Sequence, residues 1–398
     1  MSLPRRAGIG ALAGIVLLAT LPAILALLSG AASAHSQPRQ QQIDSIFSAV
    51  TKPDEPGLAV LVRQDGRSVF ERGYGVRDLR SHAKIDAATN FRLASFTKQF
   101  TAMAIMLLVH DHKLSYDTRL TDAFPEFPAY GKAITIRNLL NHTSGLPDYE
   151  DLMGAAHPAG DAQAWTETRQ IHDSEVLHLL EQQKSGKFAP GTKWEYSNSG
   201  YVVLGLVVAK ISGEPFGDFL HDRIFAPLKM QNTLVFVKGR NEVPHRAYGH
   251  TKSNGAWQQT DQSSTSATLG DGGIYSSLDD LAKWDDALAH HTLLTAAEMQ
   301  PALTPVNVPH AAAAAADDEA NAKVPANALA QYGFGWFLDP YKGHTRMWHD
   351  GETQGFRTTI QRFTQDRLTI IILCNRVDLD PGGLAKRVAD LFFAPPAH

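Results

Sequence analysis

A chain of 398 residues, 43% hydrophobic and 20% charged, has ordinary globular composition. That length holds one large domain or two intimate ones around an ample core. The net charge is −4 and the 37 Lys and Arg residues are scattered rather than striped, so nothing marks nucleic acid as a partner.

Arg5 and Arg6 precede an apolar run from Ala7 to Leu28, and Ala32-Ser33-Ala34 is a small-residue cleavage site. This is the layout of a secretory signal peptide over residues 1–34. A mature chain of 35–398, beginning at His35, is then expected to be exported, periplasmic or secreted. The run is long for a signal core, so an anchor that is never cleaved is the competing expectation. Pro22 interrupts it, which favours removal, and no membrane span is expected after residue 28.

From there the elements follow in order. Ile43, Ile46, Phe47 and Val50 recur at helical spacing. Gly57–Arg63 reads as an apolar strand, Gln64-Asp65-Gly66-Arg67 as an Asp-Gly hairpin turn, and Ser68–Gly75 as the returning strand. Phe96–Val109 is apolar nearly all round, the pattern of a helix in the interior. The middle third reads as helices between Pro/Gly turns, over Ile136–Leu140, Ser174–Gln183, Tyr201–Ile211 and Leu278–Leu288. Ser277-Leu278-Asp279-Asp280 resembles a capping box, and Gly213 is placed to end the helix before it. Residues 311–330, with six consecutive alanines, read as an inserted loop or short helix without assigned function. Strands return at Tyr332–Leu338, Thr345–Trp348, Phe356–Phe363 and Leu368–Cys374, before a helix over Leu384–Phe393. Strands at both ends with helices between imply one sheet completed by the two ends of the chain.

Cys374 is the only cysteine, so no intramolecular disulfide forms, and its apolar strand makes it a small core residue. The 17 histidines show no metal-ligand spacing, and neither a metal nor any other cofactor is expected.

Three short patterns carry chemistry. Ser-x-x-Lys occurs twice, at Ser81-His82-Ala83-Lys84 and Ser95-Phe96-Thr97-Lys98. Only the second opens an apolar helix, where a serine and a lysine three positions apart share a face and burial lowers the lysine pKa. Ser95 is then the nucleophile and Lys98 its base. Tyr196-Ser197-Asn198 supplies a phenol able to shuttle protons beside a cation and an amide able to hold a substrate. His349-Asp350-Gly351 follows a strand, with His349 and Gly351 on one face. Gly351 lets a substrate approach the backbone, and the Glu352 amide can join that of Ser95 in an oxyanion hole. Lys184-Ser185-Gly186, a rival third pattern, lies upstream of Tyr196 in a polar turn and is set aside.

Ser-x-x-Lys, Tyr-x-Asn and a Lys/His-x-Gly triplet in this order resemble the class C beta-lactamase family. That family includes low-molecular-weight penicillin-binding D-alanyl-D-alanine carboxypeptidases, esterases and D-aminopeptidases. Leu139-Leu140-Asn141-His142-Thr143-Ser144-Gly145-Leu146-Pro147 looks like the family's segment beside the cleft. Gly272 to Leu281 looks like its Gly-Gly segment leading into a helix, and Gly355-Phe356 like the pair after the third motif. The resemblance implies an α+β, beta-lactamase/transpeptidase-like fold. It has a three-layer α/β/α domain, with an antiparallel sheet from about 43–90 and 331–398, and a helical part over about 100–290.

Family members specialised for beta-lactams usually carry lysine where His349 stands, and that charge binds the substrate carboxylate. Histidine is mostly uncharged at neutral pH, and Glu352 adds negative charge beside it, so both changes weaken recognition of a carboxylate. The chain therefore reads as an exported serine hydrolase of the D-Ala carboxypeptidase, D-aminopeptidase or esterase type, cleaving the amide or ester bond of a small-molecule or peptide substrate. Ser95, Lys98 and Tyr196 are catalytic, while Asn198, His349, Gly351 and Glu352 contact substrate. A true class C beta-lactamase and a non-catalytic penicillin or wall-fragment sensor are the rival expectations. Oligomeric state is not legible.

Overall fold

The computed structural model describes residues 38–157, 161, 163–311 and 329–393. The signal-peptide expectation lies outside these residues, as does most of the alanine-rich insertion. Asp65 and Gly66 take positive φ of 53° and 74°, the conformation an Asp-Gly turn supplies, and so join β1 (Leu58–Gln64) to β2 (Arg67–Tyr74). The other end of the chain gives β3 (Arg346–Thr353), β4 (Phe356–Phe363) and β5 (Leu368–Cys374). The five strands form one antiparallel sheet in the order β3-β4-β5-β1-β2, so the two chain ends meet where β5 pairs with β1.

Alternation along the central strands builds the layers. Leu58, Val60 and Val62 with Ile370 and Ile372 face a helix over residues 38–48 and the helix Pro381–Phe393. Ala59, Leu61, Ile371 and Leu373 face the opposite way, into the larger core built by the middle of the chain. Four helices of that middle part matter below: α1 (Lys98–His110), α2 (Tyr149–Ala156), α3 (Asn198–Ser212) and α4 (Leu278–His290). Every residue of α1 from Lys98 to Leu108 is buried, which explains its missing polar face. Gly213 closes α3 in the left-handed conformation at φ 80°. In α4 the Ser277 hydroxyl accepts the Asp280 amide, and Asp285 reaches the sheet to pair with Arg63 at 3.1 Å and Arg362 at 2.7 Å. These buried charges are paired on both sides, as burial requires.

Three expectations change. Tyr332–Leu338 is not a regular strand: Gly335 turns the chain at φ 75°, Tyr332 bridges Phe337, and Phe337 bridges Trp348. The His349-Asp350-Gly351 motif does not follow a strand but lies inside β3. The middle third is not helical throughout: Phe91–Arg92, Leu234–Val235 and Ile274–Ser276 form a small sheet, and His250–Ser253 pairs with Ala256–Gln259. Strands of two to four residues are too short to display alternation. In the sequence, Ile274–Ser276 shows only as part of the Gly-Gly approach to α4.

Candidate active site

The small sheet places the Ser95 turn. Phe91 and Arg92 pair with Ser276 and Tyr275, and the Leu93 amide donates to Ile274 O at 2.8 Å. Ala94 follows with φ 51°, a strained conformation for a residue with a side chain, and Ala94–Thr97 winds a 3₁₀ turn into α1. The turn is held from both sides. The Ile274 amide donates to Thr97 Oγ1 at 3.2 Å, and the Thr358 hydroxyl donates to Leu93 O at 2.8 Å. Ser95 itself is half-buried at the end of this scaffold.

Lys98 is completely buried, and its Nζ reaches Ser95 Oγ at 3.0 Å, Asn198 Oδ1 at 2.9 Å and the Asp271 carbonyl at 3.1 Å. The ring centroids of Tyr196 and Tyr201 lie 4.9 and 5.6 Å from the same nitrogen. An amine in hydrogen-bond contact with a hydroxyl can exchange a proton with it, and the two fixed oxygens orient the amine for that exchange.

Asn198 opens α3, which aims its Oδ1 at Lys98. Just before it, the Ser197 amide donates to His142 Nδ1 at 3.2 Å, and the Tyr196 ring packs on the His142 ring with centroids 4.4 Å apart. The Tyr196 ring also lies 6.2 Å from that of His349. The Tyr196 ring thus neighbours both Lys98 Nζ and the His349 ring, beside the Ser95 turn.

His349 is 2% exposed, and both ring nitrogens are engaged. Nδ1 lies 2.6 Å from the Asp350 carbonyl and Nε2 lies 3.1 Å from the Tyr332 hydroxyl. A carbonyl only accepts, so Nδ1 carries a proton, and in the neutral ring Nε2 is left as the acceptor that faces the Tyr332 hydroxyl. Burial, with the Lys98 charge adding to it, pushes its pKa down to about 3. Burial and the same charge push His142 well below the ordinary histidine range.

The site brings together Ser95, Lys98, Tyr196, Asn198 and His349. Two residues expected to contact substrate also have structural partners. A side-chain carbon on Gly351 would overlap the Leu93 carbonyl and the Thr358 hydroxyl, so the missing side chain makes room for the Ser95 turn. Glu352 is exposed and ion-paired with Arg357, its cross-strand neighbour, so its charge does not act as a bare repulsion. The other Ser-x-x-Lys is a surface feature: the Ser81 hydroxyl donates to Asp78 at 3.1 Å and Lys84 pairs with Asp54 at 2.9 Å. Sequence reasoning did not single out His142, Asp148, Asp271 or Tyr332. His142 sits within the recognised Leu139–Pro147 segment and Asp148 directly after it, whereas nothing around Tyr332 marks it. Among the described residues no cluster of His, Cys, Asp and Glu has the geometry to hold a metal.

The sheet completed by both chain ends, with a serine and a buried lysine at its edge, defines a serine hydrolase of the penicillin-binding type. The beta-lactamase family model matches residues 43–393, and the chain belongs to that family. Penicillin-binding protein 4* of Bacillus subtilis is 30% identical over 353 residues, which are 85% of this chain and 72% of the relative. Among solved structures, D-amino acid amidase from Ochrobactrum anthropi superposes with a TM-score of 0.71 at 23% identity, over 90% of this chain and 98% of that one. The octameric penicillin-binding protein homologue from Pyrococcus abyssi gives 0.70 at 22%, over 91% and 77%. These structural likenesses establish the α+β fold.

Proposed function

We propose that this chain cleaves small amides or esters that lack a carboxylate, through an acyl-enzyme on Ser95. Lys98, as the amine, takes the Ser95 hydroxyl proton while Oγ bonds to the carbonyl carbon. The proton passes by way of Lys98 and Tyr196 to the departing amine or alcohol, and water then attacks the ester by the reverse route. The Ser95 and Glu352 amides stabilise the oxyanion; the close packing of Gly351 on Leu93, which sets the Glu352 peptide beside the Ser95 turn, supports this. Asn198 orients Lys98 and the substrate amide.

The observation that carries the reading is the Lys98 Nζ held between Ser95 Oγ and Asn198 Oδ1. The state of His349 supports the substrate class: it is buried, neutral and engaged at both nitrogens, so it offers a carboxylate no cation. D-amino acid amides and short esters are accordingly favoured over beta-lactams and over peptides ending in D-alanine. Export after cleavage behind Ala34 completes the reading. No helix among the described residues is long and apolar enough to cross a membrane, and N-terminal sequencing of native protein tests the cleavage.

A substrate panel decides the function. The purified protein is given a neutral chromogenic ester, D-amino acid amides, a chromogenic cephalosporin, and a D-Ala-D-Ala peptide beside its C-terminal amide. Turnover of ester or amide above that of the cephalosporin, with the amidated peptide at least matching the acid, is expected. Fast cephalosporin turnover, or a strong preference for the free acid, would overturn the substrate class. A single stoichiometric burst on every substrate would make the protein a sensor.

A further inference from the structure

Asp148 caps α2 in the ordinary way, its Oδ1 accepting the Glu150 amide at 3.0 Å. Its other oxygen crosses to a different helix, where Oδ2 accepts the Asn198 amide at 2.7 Å. Asn198 is the first residue of α3, and the N-cap of α3 does not serve its own helix. The Ser197 hydroxyl makes no capping bond and is buried without a hydrogen-bond partner among the described residues. One carboxylate therefore closes two helix N-termini, its own and one that begins fifty residues downstream of it, where both helix dipoles favour a negative charge.

The surrounding backbone repeats the arrangement. The Glu195 amide donates to His142 O at 3.0 Å, and the Ser199 hydroxyl donates to Pro147 O at 2.8 Å. The Ser197 amide, between them, is taken by the His142 ring. The segment from His142 to Asp148 is thus a template on which the Tyr196–Asn198 motif is laid, and Asp148 is its one charged contact with that motif.

We infer that Asp148 is a positioning residue for the reaction: it fixes the Asn198 backbone so that Asn198 Oδ1 holds the Lys98 Nζ against Ser95. The inference rests on the proposed roles of Ser95, Lys98 and Asn198. Mutual contact runs from Asp148 Oδ2 to the Asn198 amide, from Asn198 Oδ1 to Lys98 Nζ, and from Nζ to Ser95 Oγ. A displacement of the order of 1 Å at such a centre can cost about a hundredfold in rate. Only a side chain with two acceptors on one carbon can serve both helices, which separates a clamp from a simple cap.

The test uses Asp148→Ser and Asp148→Thr. Each keeps a hydroxyl able to cap α2 and loses the reach to Asn198. The rate of fluorophosphonate labelling and kcat and KM for a neutral ester are measured per folded molecule, together with thermal unfolding. Labelling and kcat are expected to fall about tenfold or more, with KM little changed and most of the native melting temperature retained. In an Asn198→Ala background the same substitutions should cost less than about twofold in labelling rate, because the residue they act through is already gone. A folded variant that keeps kcat within twofold, or losses that multiply in the double variant, would reduce Asp148 to a cap of α2. Ser95→Ala runs alongside: turnover that survives it refutes the active-site assignment itself, whereas its loss with Asp148 variants intact refutes only the positioning role.

Discussion

Gly351 packs its α-carbon against the carbonyl of Leu93, two residues before the serine of the Ser-x-x-Lys motif, so the third motif is a seat for the first. The Thr358 hydroxyl, which donates to that same carbonyl, closes the third side of the contact. Gly351→Ala would drive a methyl group into two immobile backbone and side-chain oxygens. Overpacking of this kind typically costs about 1–3 kcal/mol, and relief can come only by moving β3 or the Ser95 turn. A lowered melting temperature and at least tenfold slower Ser95 labelling are expected. Wild-type labelling in Gly351→Ala would show that the contact is soft.

The two Ser-x-x-Lys sequences predict opposite outcomes. Ser95→Ala should abolish covalent labelling by a fluorophosphonate, whereas Ser81→Ala should leave it intact, since Ser81 is exposed and bonded to Asp78. Mass spectrometry of the labelled peptide checks both, and a label on the peptide containing Ser81 would overturn the assignment.

Much of this was legible because it rests on local rules. Asp65-Gly66 announced its hairpin, the Phe100–Leu108 run announced a buried helix, and β4 and β5 were bounded by the residues expected of them. The decoy at Ser81 was separable because no apolar run follows it. What remained hidden depends on contacts distant in sequence. Nothing near Tyr332 says that its hydroxyl meets His349, and nothing near Gly351 says that the Leu93 carbonyl lies against it. Glu352 read as a lone negative charge because Arg357 becomes its partner only across a hairpin register. Asp148 showed itself as the start of a helix, while its second helix lay fifty positions downstream.

Lys98→Ala and Tyr196→Phe test proton transfer. Each should slow acylation by about 10²–10⁴-fold, the usual contribution of a general acid or base. The Lys98 variant also empties a site that three oxygens surround, so its unfolding should be followed by circular dichroism. A loss of only a few-fold in both variants, with the spectra unchanged, would mean that another base serves Ser95.

The neutral His349 has a pH signature. Its pKa is pushed down to about 3 in the folded protein from an ordinary 6.5, so between these values the unfolded chain binds a proton that the folded site refuses. Stability from this group is full above pH 6.5 and is lost as pH falls toward 3, by at most about 1.4 kcal/mol per pH unit. His142 is shifted the same way and adds to the slope. Urea midpoints taken between pH 7.5 and 5 should therefore fall, and fall less steeply in His349→Gln. The ratio of kcat/KM for a carboxylate-bearing substrate to that for a neutral one should stay flat through pH 6.5. A step in that ratio near pH 6.5 would mean that His349 charges in the native site.

Substrate charge gives the last prediction. If the absence of a cation at His349 is why carboxylates are poor ligands, His349→Lys should raise kcat/KM for carboxylate-bearing beta-lactams relative to a neutral short ester. A new ammonium near a desolvated carboxylate contributes about 1.5–3 kcal/mol through a charge-assisted hydrogen bond, or roughly tenfold and upward. Glu352→Gly should do almost nothing by comparison, because the charge it removes is already compensated by Arg357. Removing Glu352 also unpairs Arg357, so any residual effect should be salt-dependent and small. The contrast between the two variants is the measurement. An equal gain from both would mean that repulsion by Glu352, and not the neutrality of His349, limits carboxylate binding. No gain from lysine, with wild type already preferring the free D-Ala-D-Ala acid to its amide, would mean that carboxylates bind elsewhere in the site.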